Sequence, residues 1–137
     1  MKKIFLFCVT LLFACSAQAH VINFGSLAGS NPAGAFNQVL NSARFVVVKF
    51  FRFGCQPCSI MGPVFQEASN TIGNIVTFIE LNGQNYLSLT TGQGVRSLPT
   101  FIYYRDGQQI SRHGSKNGSQ FWNASSLTNH IQSVFGI

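Results

Sequence analysis

The chain has 137 residues and a formal net charge of +6, with nine lysines and arginines against three aspartates and glutamates. This length suits about one domain with a single hydrophobic core. The basic side chains are scattered along the sequence, which argues against the clustered basic surface of a nucleic-acid-binding protein. The charge balance is compatible with mild attraction to acidic partners.

The first 19 residues predict a signal peptide. Lys2-Lys3 is a short basic segment, an apolar run extends from Ile4 to Ala14, and Ala17-Gln18-Ala19 has the small-x-small form of a signal-peptidase site. The apolar run is too short for a transmembrane helix, which needs about 20 residues. We therefore expect cleavage after Ala19 and export to the periplasm.

A second cleavage site competes with this one. Leu12-Phe13-Ala14-Cys15 loosely resembles a bacterial lipobox, which would leave Cys15 as a lipidated N-terminus and tether the protein to a membrane. Phe13 is bulky for its position in such a motif. The soluble product is therefore the preferred prediction, and the membrane-anchored lipoprotein is the alternative.

Cleavage after Ala19 also decides how many cysteines the mature protein carries. It removes Cys8 and Cys15, so that only Cys55 and Cys58 remain. The mature chain then has no further thiol for a structural disulfide. The function of the protein is expected to lie in this pair.

The rest of the sequence predicts an irregular N-terminal lead-in at 20–34 and one α/β domain at 35–137. Alternation of helices and strands implies parallel strands joined by crossover helices. Asp106-Gly107 is typical of a two-residue hairpin turn, so the last two strands are expected to be antiparallel. The predicted elements are a helix at 35–43, strands at 45–51 and 75–81 around a helix from the cysteine pair to 72, a weak helix at 86–91, strands at 101–104 and 108–112, and a C-terminal helix. The sequence also permits a strand at 21–24.

The most informative segment is the apolar, β-branched run at 45–51 with a Cys-x-x-Cys motif shortly after it. The run predicts a buried strand, and Cys55-Gln56-Pro57-Cys58 follows where the next helix begins. A cysteine at a helix N-terminus has its thiolate stabilised by unpaired backbone N–H groups and by the helix dipole. Redox proteins present a dithiol in this way.

These segments together resemble the thioredoxin family. The strand and the Cys-x-x-Cys motif stand where that family has its buried strand and active-site loop, Pro63 matches its helix-kinking proline, and the segment 95–100 matches the one that holds its cis-proline. The likeness spans about Ala35 to Phe135. It implies a thioredoxin fold, with a central mixed sheet of four to five strands flanked by helices. It also implies a thiol–disulfide oxidoreductase that needs no bound cofactor.

The resemblance also implies the roles of the site residues. Cys55 is the attacking thiol, and Cys58, shielded one turn into the helix, resolves the mixed disulfide that Cys55 forms with a client protein. Pro57 suits the first turn of the helix. The Leu98–Pro99 peptide bond is expected to be cis and to face the dithiol, where the backbone of Leu98 can pair with a bound client strand.

Three positions near the dithiol depart from the family pattern. Gly54 replaces the usual tryptophan before the first cysteine and is expected to open the surface beside Cys55 to clients. Gln56 replaces a glycine and adds a polar but uncharged side chain, so we expect little direct effect on the thiolate. Lys49, six residues before Cys55, replaces a buried acid that relays a proton for the resolving cysteine.

Three roles are open to Lys49 on this pattern. A charged Lys49 that points inward would favour thiolates and make the disulfide more oxidising. A buried Lys49 whose pKa is lowered could itself accept the proton of Cys58. A Lys49 that reaches solvent would do neither.

The expected function is dithiol–disulfide exchange with exported protein substrates. The protein is expected to be a monomer that an upstream redox partner recharges, and the Pro57-containing loop favours a reductant over an oxidant or isomerase. Two alternatives belong to other classes: a copper carrier, because soft thiolates suit Cu(I), and a thioredoxin-like binding domain without catalysis. No metal site is expected at His20, His113 and His130, because a structural zinc site usually shows a second closely spaced ligand pair, and the last two are expected at the surface.

Overall fold

A computed structural model of the chain describes residues 20–114 and 123–137. The predicted signal peptide, the alternative lipobox and both of their cysteines, Cys8 and Cys15, lie outside the described residues. Within those ranges, no helix combines the length and the apolar character needed to cross a membrane.

Five strands form one mixed sheet. They are β1 (Ile22–Asn23), β2 (Phe45–Phe51), β3 (Thr77–Asn82), β4 (Thr100–Arg105) and β5 (Gln108–Gly114). Their order across the sheet is β1-β3-β2-β4-β5. β3 is parallel to both β1 and β2, whereas β4 is antiparallel to β2 and to β5. This confirms the predicted mixed α/β sheet, with the N-terminal strand as its fifth member.

Four α-helices cover the two faces of this sheet. They are α1 (Pro32–Ser42), α2 (Gln56–Ile72), α3 (Leu87–Gly92) and α4 (Ala124–Phe135). The apolar residues of α2 and α4 form one core cluster with one face of the sheet, and those of α1 and the α3 region form a second cluster with the other face. The predicted stripes on α1 and α2 are the buried faces of these helices.

The central strand β2 is buried on both faces, which explains its continuous apolar sequence. Val46, Val48 and Phe50 belong to the cluster under α1. Val47 belongs to the cluster under α2 and α4, and Lys49 faces the same side because side chains alternate along a strand. The strand ends at Phe51, so the cysteine loop leaves from the middle of the sheet.

The segment 20–34, predicted as an irregular lead-in, has defined structure. β1 pairs with β3, and Phe24 in the 3-10 turn after it is fully buried. Helix α1 begins at Pro32, three residues earlier than predicted, and the Gly34 N–H donates to the Asn31 side chain at 3.0 Å. Asn31-Pro32 is therefore a helix start, an N-cap followed by a proline in the first turn, and not a simple loop signal.

The ends of two elements match their sequence signals. Gly73 ends α2 with a φ of 76°, and Asp106 and Gly107 form the hairpin turn with φ values of 51° and 78°. β3 begins at Thr77, later than predicted, because residues 73–75 form a 3-10 turn.

Two histidines expected at the surface lie instead between β5 and α4. The His113 ring stacks on Phe101 with centroids 4.8 Å apart, and its Nε2 is hydrogen-bonded to the Tyr103 hydroxyl at 2.8 Å. The His130 ring lies 5.1 Å from the His113 ring. Burial, aided by the neighbouring His130, lowers the pKa of His113 to about 4, and burial also lowers the pKa of His130.

The buried His113 is expected to make the fold acid-sensitive. The unfolded chain takes up a proton near pH 6.5 and the folded chain near pH 4, so the free energy of unfolding falls as the pH drops through this window, by up to about 3 kcal/mol. Urea denaturation of the oxidised protein at pH 7.5, 5.5 and 4.5 measures this. His113→Gln should flatten the dependence and His20→Gln should not. An equally steep dependence in His113→Gln would contradict the assignment, and with only three acids in the sequence carboxylates confuse it little.

Candidate active site

The loop after β2 places the cysteine pair at the N-terminus of α2. Gly54 has a φ of 75°, a left-handed backbone conformation that is costly for other residues. This turn makes Cys55 the N-cap residue of α2. Pro57 lies in the first turn of the helix, where its missing N–H leaves no hydrogen bond unmade.

A disulfide joins Cys55 and Cys58, whose Cα atoms are 5.2 Å apart. The backbone N–H of Cys58 points at Cys55 Sγ from 3.3 Å. In the reduced protein, the same N–H and the dipole of α2 stabilise negative charge on the Cys55 sulfur. The geometry therefore favours Cys55 as the nucleophile, in agreement with the role that the family resemblance implies.

Both cysteines are nearly buried, with exposed fractions of 5% for Cys55 and 4% for Cys58. Exposure alone does not distinguish the attacking from the resolving cysteine. The distinction lies in their position on the helix, because Cys55 caps α2 whereas Cys58 lies within its first turn.

The Leu98–Pro99 peptide bond is cis, which confirms that prediction. The carbonyl oxygen of Leu98 lies 3.7 Å from Cys55 Sγ, and Pro99 is buried. The Thr100 hydroxyl donates to the Ser97 carbonyl at 2.6 Å and fixes the local turn. The segment before β4 thus faces the disulfide, as expected, and presents backbone groups beside the reactive sulfur.

The surface beside Cys55 is open at the positions predicted to contact clients. Gly54 and Gln56 are exposed, and no heavy atom lies within 4 Å of the Cβ position of Gly54. Phe53, which the sequence reasoning missed, is 77% exposed and packs edge-on against Phe51 with ring centroids 5.7 Å apart. A large aromatic residue in the short loop before the first cysteine was the signal for it.

Lys49 points into the core beneath α2. The residue is 2% exposed, so the alternative in which it reaches solvent is wrong. Its Nζ lies 5.2 Å from the Phe65 ring centroid and 5.4 Å from that of Phe51, within the range of cation–π attraction. The Cβ position of Gly62 is 4.0 Å from Nζ, so this glycine leaves room for the ammonium under the helix.

Glu80 is the partner of Lys49 and was not singled out from the sequence. The two residues face each other in the register of β2 and β3, and Lys49 Nζ lies 3.6 Å from Glu80 Oε2. Burial lowers the pKa of Lys49, while the charge of Glu80 acts in the opposite direction. Glu80 is 33% exposed, so the pair joins the core under α2 to solvent.

The described residues contain no group of three histidine, cysteine or acidic side chains placed to hold a metal ion. His113 and His130 contact each other and Tyr103, and they pack under α4 rather than beside the dithiol. The chemistry of this site therefore rests on its two sulfurs and on the groups around them.

Comparison with known sequences identifies the same part of the chain. Residues 30–132 match the family model described as Thioredoxin. The thioredoxin of Malassezia sympodialis is 34% identical over 76 residues, which cover 55% of this chain and 72% of that protein. Thioredoxin Y2, chloroplastic, of Arabidopsis thaliana is 35% identical over 79 residues, 57% of this chain, but the chain spans only 47% of that relative's length.

Among solved structures, a mutant thioredoxin from Halobacterium salinarum NRC-1 superposes with a TM-score of 0.69. The match covers 87% of this chain and 94% of that one, at 19% sequence identity. At this identity the likeness shows the fold, which is the one predicted from the sequence.

The buried ion pair gives opposite expectations for its two members. Lys49→Met should raise the free energy of unfolding by about 1–3 kcal/mol, because it removes a desolvated ammonium and leaves the partly exposed Glu80 in contact with water. Glu80→Gln should lower it by at least about 1 kcal/mol at pH 7, since Lys49 loses its counter-charge. Because the unfolded chain binds the lysine proton more tightly, this loss should shrink as the pH rises.

Urea denaturation of the oxidised protein at pH 7 and pH 9 measures both changes. Glu67→Gln, which removes an exposed acid on α2, is the matched control and should have little effect. Equal destabilisation by Lys49→Met and Glu80→Gln would contradict this expectation, because it would mean that the pair stabilises the fold as a unit.

Proposed function

This chain belongs to the thioredoxin family and is a thiol–disulfide oxidoreductase, and we propose that it is an exported reductant of disulfides in protein substrates. One observation carries this proposal. Cys55 caps α2, with the Cys58 N–H directed at its sulfur and the Leu98 carbonyl oxygen 3.7 Å from it. The helix stabilises the attacking thiolate, and the backbone at Leu98 offers hydrogen-bonding groups to a client strand.

In the proposed cycle, the Cys55 thiolate attacks a client disulfide and forms a mixed disulfide, and the displaced client sulfur takes a proton from water. Cys58 then loses its proton, and its thiolate attacks the sulfur of Cys55. The Cys55–Cys58 disulfide forms as the second client sulfur leaves and is protonated. The client gains two electrons and two protons, and an upstream redox partner returns them to the protein.

We assign acceptance of the Cys58 proton to the amine of Lys49. Cys58 and Gly62 are four residues apart and share one face of α2, and Lys49 Nζ lies 4.0 Å from the Cβ position of Gly62. Burial lowers the pKa of Lys49 and so makes the neutral amine accessible. The Glu80 carboxylate then stabilises the ammonium that forms.

The charges around the sulfurs favour the reducing direction. A net positive charge near the pair stabilises thiolates and makes the disulfide more oxidising. Here the charge of Lys49 is offset by Glu80, and Gln56 between the cysteines carries none. These features support a reductant over an oxidant or isomerase, while membership of an oxidoreductase family sets aside the copper-carrier and non-catalytic alternatives.

Export is supported by the basic, apolar and small-x-small segments of the first 19 residues. Cleavage after Ala19 would leave the sheet whole, because β1 begins at Ile22. The mature protein would carry Cys55 and Cys58 alone, and we propose that it acts as a periplasmic monomer. A membrane tether would require lipidation of Cys15.

Intact mass spectrometry of the protein recovered from a bacterial periplasm tests this step. We expect a single species that begins at His20. A diacylated species that begins at Cys15, found in the membrane fraction, would replace the soluble product with a lipoprotein, and an uncleaved cytoplasmic chain would remove export altogether.

The reduction potential of the Cys55–Cys58 couple tests the direction of electron flow. Equilibrated against glutathione buffers at pH 7, the mature protein is expected at or below about −250 mV, in the range of reductants. A value above about −200 mV would identify an oxidant or isomerase. Absence of a disulfide at any potential would end the oxidoreductase proposal.

The same preparation tests Lys49. In single-turnover reduction of a client disulfide by the reduced protein, Lys49→Met should slow the decay of the mixed disulfide by about tenfold, with little change in its formation. Arg44→Met, which removes a positive charge at the opposite end of β2, is the control. Equal decay rates in wild type and Lys49→Met would leave Lys49 without a catalytic role.

A further inference from the structure

A pocket of about 370 Å³ opens beside the disulfide, between α3 and the segment that leads into β4. We call it the Leu98 pocket. Its lining residues include Gly83, Leu87, Thr90, Val95, Arg96 and Leu98. It is separate from the ion pair under α2, because α3 and α2 cover opposite faces of the sheet.

Leu98 connects this pocket to the reactive sulfur. Its carbonyl oxygen lies 3.7 Å from Cys55 Sγ, while its side chain forms part of the pocket wall. A client segment that pairs with the backbone of Leu98 therefore runs past the mouth of the pocket. One of its side chains, close to the client cysteine, is then positioned to enter.

The walls of the pocket suit an apolar side chain. Leu87 is an exposed leucine, with 64% of its surface accessible, and Val95 and Leu98 add further apolar surface. Gly83 keeps the pocket open, because a Cβ at this position would lie 3.2 Å from Thr90 Cγ2 and 3.5 Å from Leu98 Cδ1. Enclosed apolar surface beside a reactive group is the usual character of a ligand site.

The charge around the pocket is positive. Arg96 at its edge and Arg52 in the cysteine loop are both exposed. Within residues 20–114 and 123–137, the only ion pair is the one between Lys49 and Glu80, so neither arginine is neutralised by an acid of that part of the chain.

The other two acids lie elsewhere. Glu67 is in the second half of α2, and Asp106 is in the hairpin turn at the opposite end of the sheet, where its N–H donates to the Arg44 carbonyl. The client-facing end of the described structure therefore attracts negative charge without internal competition.

We propose that the Leu98 pocket is a client-recognition site that takes an apolar side chain next to the client cysteine, and that Arg96 pairs with an acidic residue beside that side chain. The inference rests on the proposed reduction of protein disulfides and adds a substrate class to it: cysteines flanked by an apolar and an acidic residue. Recognition of this kind lowers KM and leaves the sulfur chemistry unchanged.

The test uses the mature, reduced protein and four fluorescent peptides, each held as a self-quenched disulfide-linked dimer. Beside the cysteine they carry leucine with aspartate, leucine with lysine, serine with aspartate, or serine with lysine. The leucine–aspartate peptide is expected to have a kcat/KM about tenfold above that of the serine–lysine peptide, mainly through KM. Raising the salt concentration should reduce the preference for aspartate and spare the preference for leucine.

Two variants separate the two halves of the site. Arg96→Gln should reduce the preference for aspartate over lysine at least threefold, whereas Arg44→Gln, an equal change of charge at the opposite end of the sheet, should leave it intact. Leu87→Ser should reduce the preference for leucine over serine. Leu87 is exposed, so this change avoids the packing cost that filling the pocket at Gly83 would carry.

A small organic disulfide, which reaches neither the pocket nor Arg96, serves as the reference substrate. If it is reduced and all four peptides react equally in every variant, the Leu98 pocket has no role in recognition, while the proposed function stands. If neither the small disulfide nor any peptide is reduced, the proposed function fails and this inference fails with it.

Discussion

The backbone N–H of Cys58 points at the sulfur of Cys55 from 3.3 Å, and this contact exists because a helix begins at that sulfur. The helix begins there because the buried strand β2 ends at Phe51 and a glycine turn redirects the chain. β2 in turn needs cover on both faces, which α1 and α3 supply on one side and α2 and α4 on the other. The fold thus serves to aim one peptide dipole at one sulfur atom.

The pair of Lys49 and Glu80 adds a second constraint, and it acts against stability. A desolvated ammonium is costly, and attraction to a carboxylate offsets only part of that cost. The sheet register brings the partner within 3.6 Å, and the bare backbone of Gly62 leaves space above the amine. Retention of a charge in such a place is understandable if the site needs a group that can change its protonation state beneath the resolving cysteine.

Local sequence patterns predicted much of the fold and the centre of the site. The apolar run of β2, the helical stripe of α2 and the Asp106-Gly107 turn are each encoded within a few neighbouring residues. The two cysteines and the cis-proline were also placed correctly, since short motifs carry them.

What the sequence could not predict depends on residues that are far apart in the chain. Glu80 meets Lys49 only through the register of two strands, and His113 meets His130 only because α4 packs against the sheet beside β5. The N-terminal lead-in was judged by its glycines and asparagines, although Phe24 within it is a fully buried core residue. In each case tertiary pairing decided the environment, and composition gave no measure of it.

The exposed ring of Phe53 has a consequence for the interior. It packs on Phe51, and Phe51 in turn lies within cation–π range of the Lys49 ammonium. A client that covers Phe53 would exclude water from the outer end of this chain of contacts, and electrostatic interactions strengthen as their surroundings become drier. Docking at the surface would therefore tighten the coupling between the buried charges and the sulfurs at the moment when the mixed disulfide must be resolved.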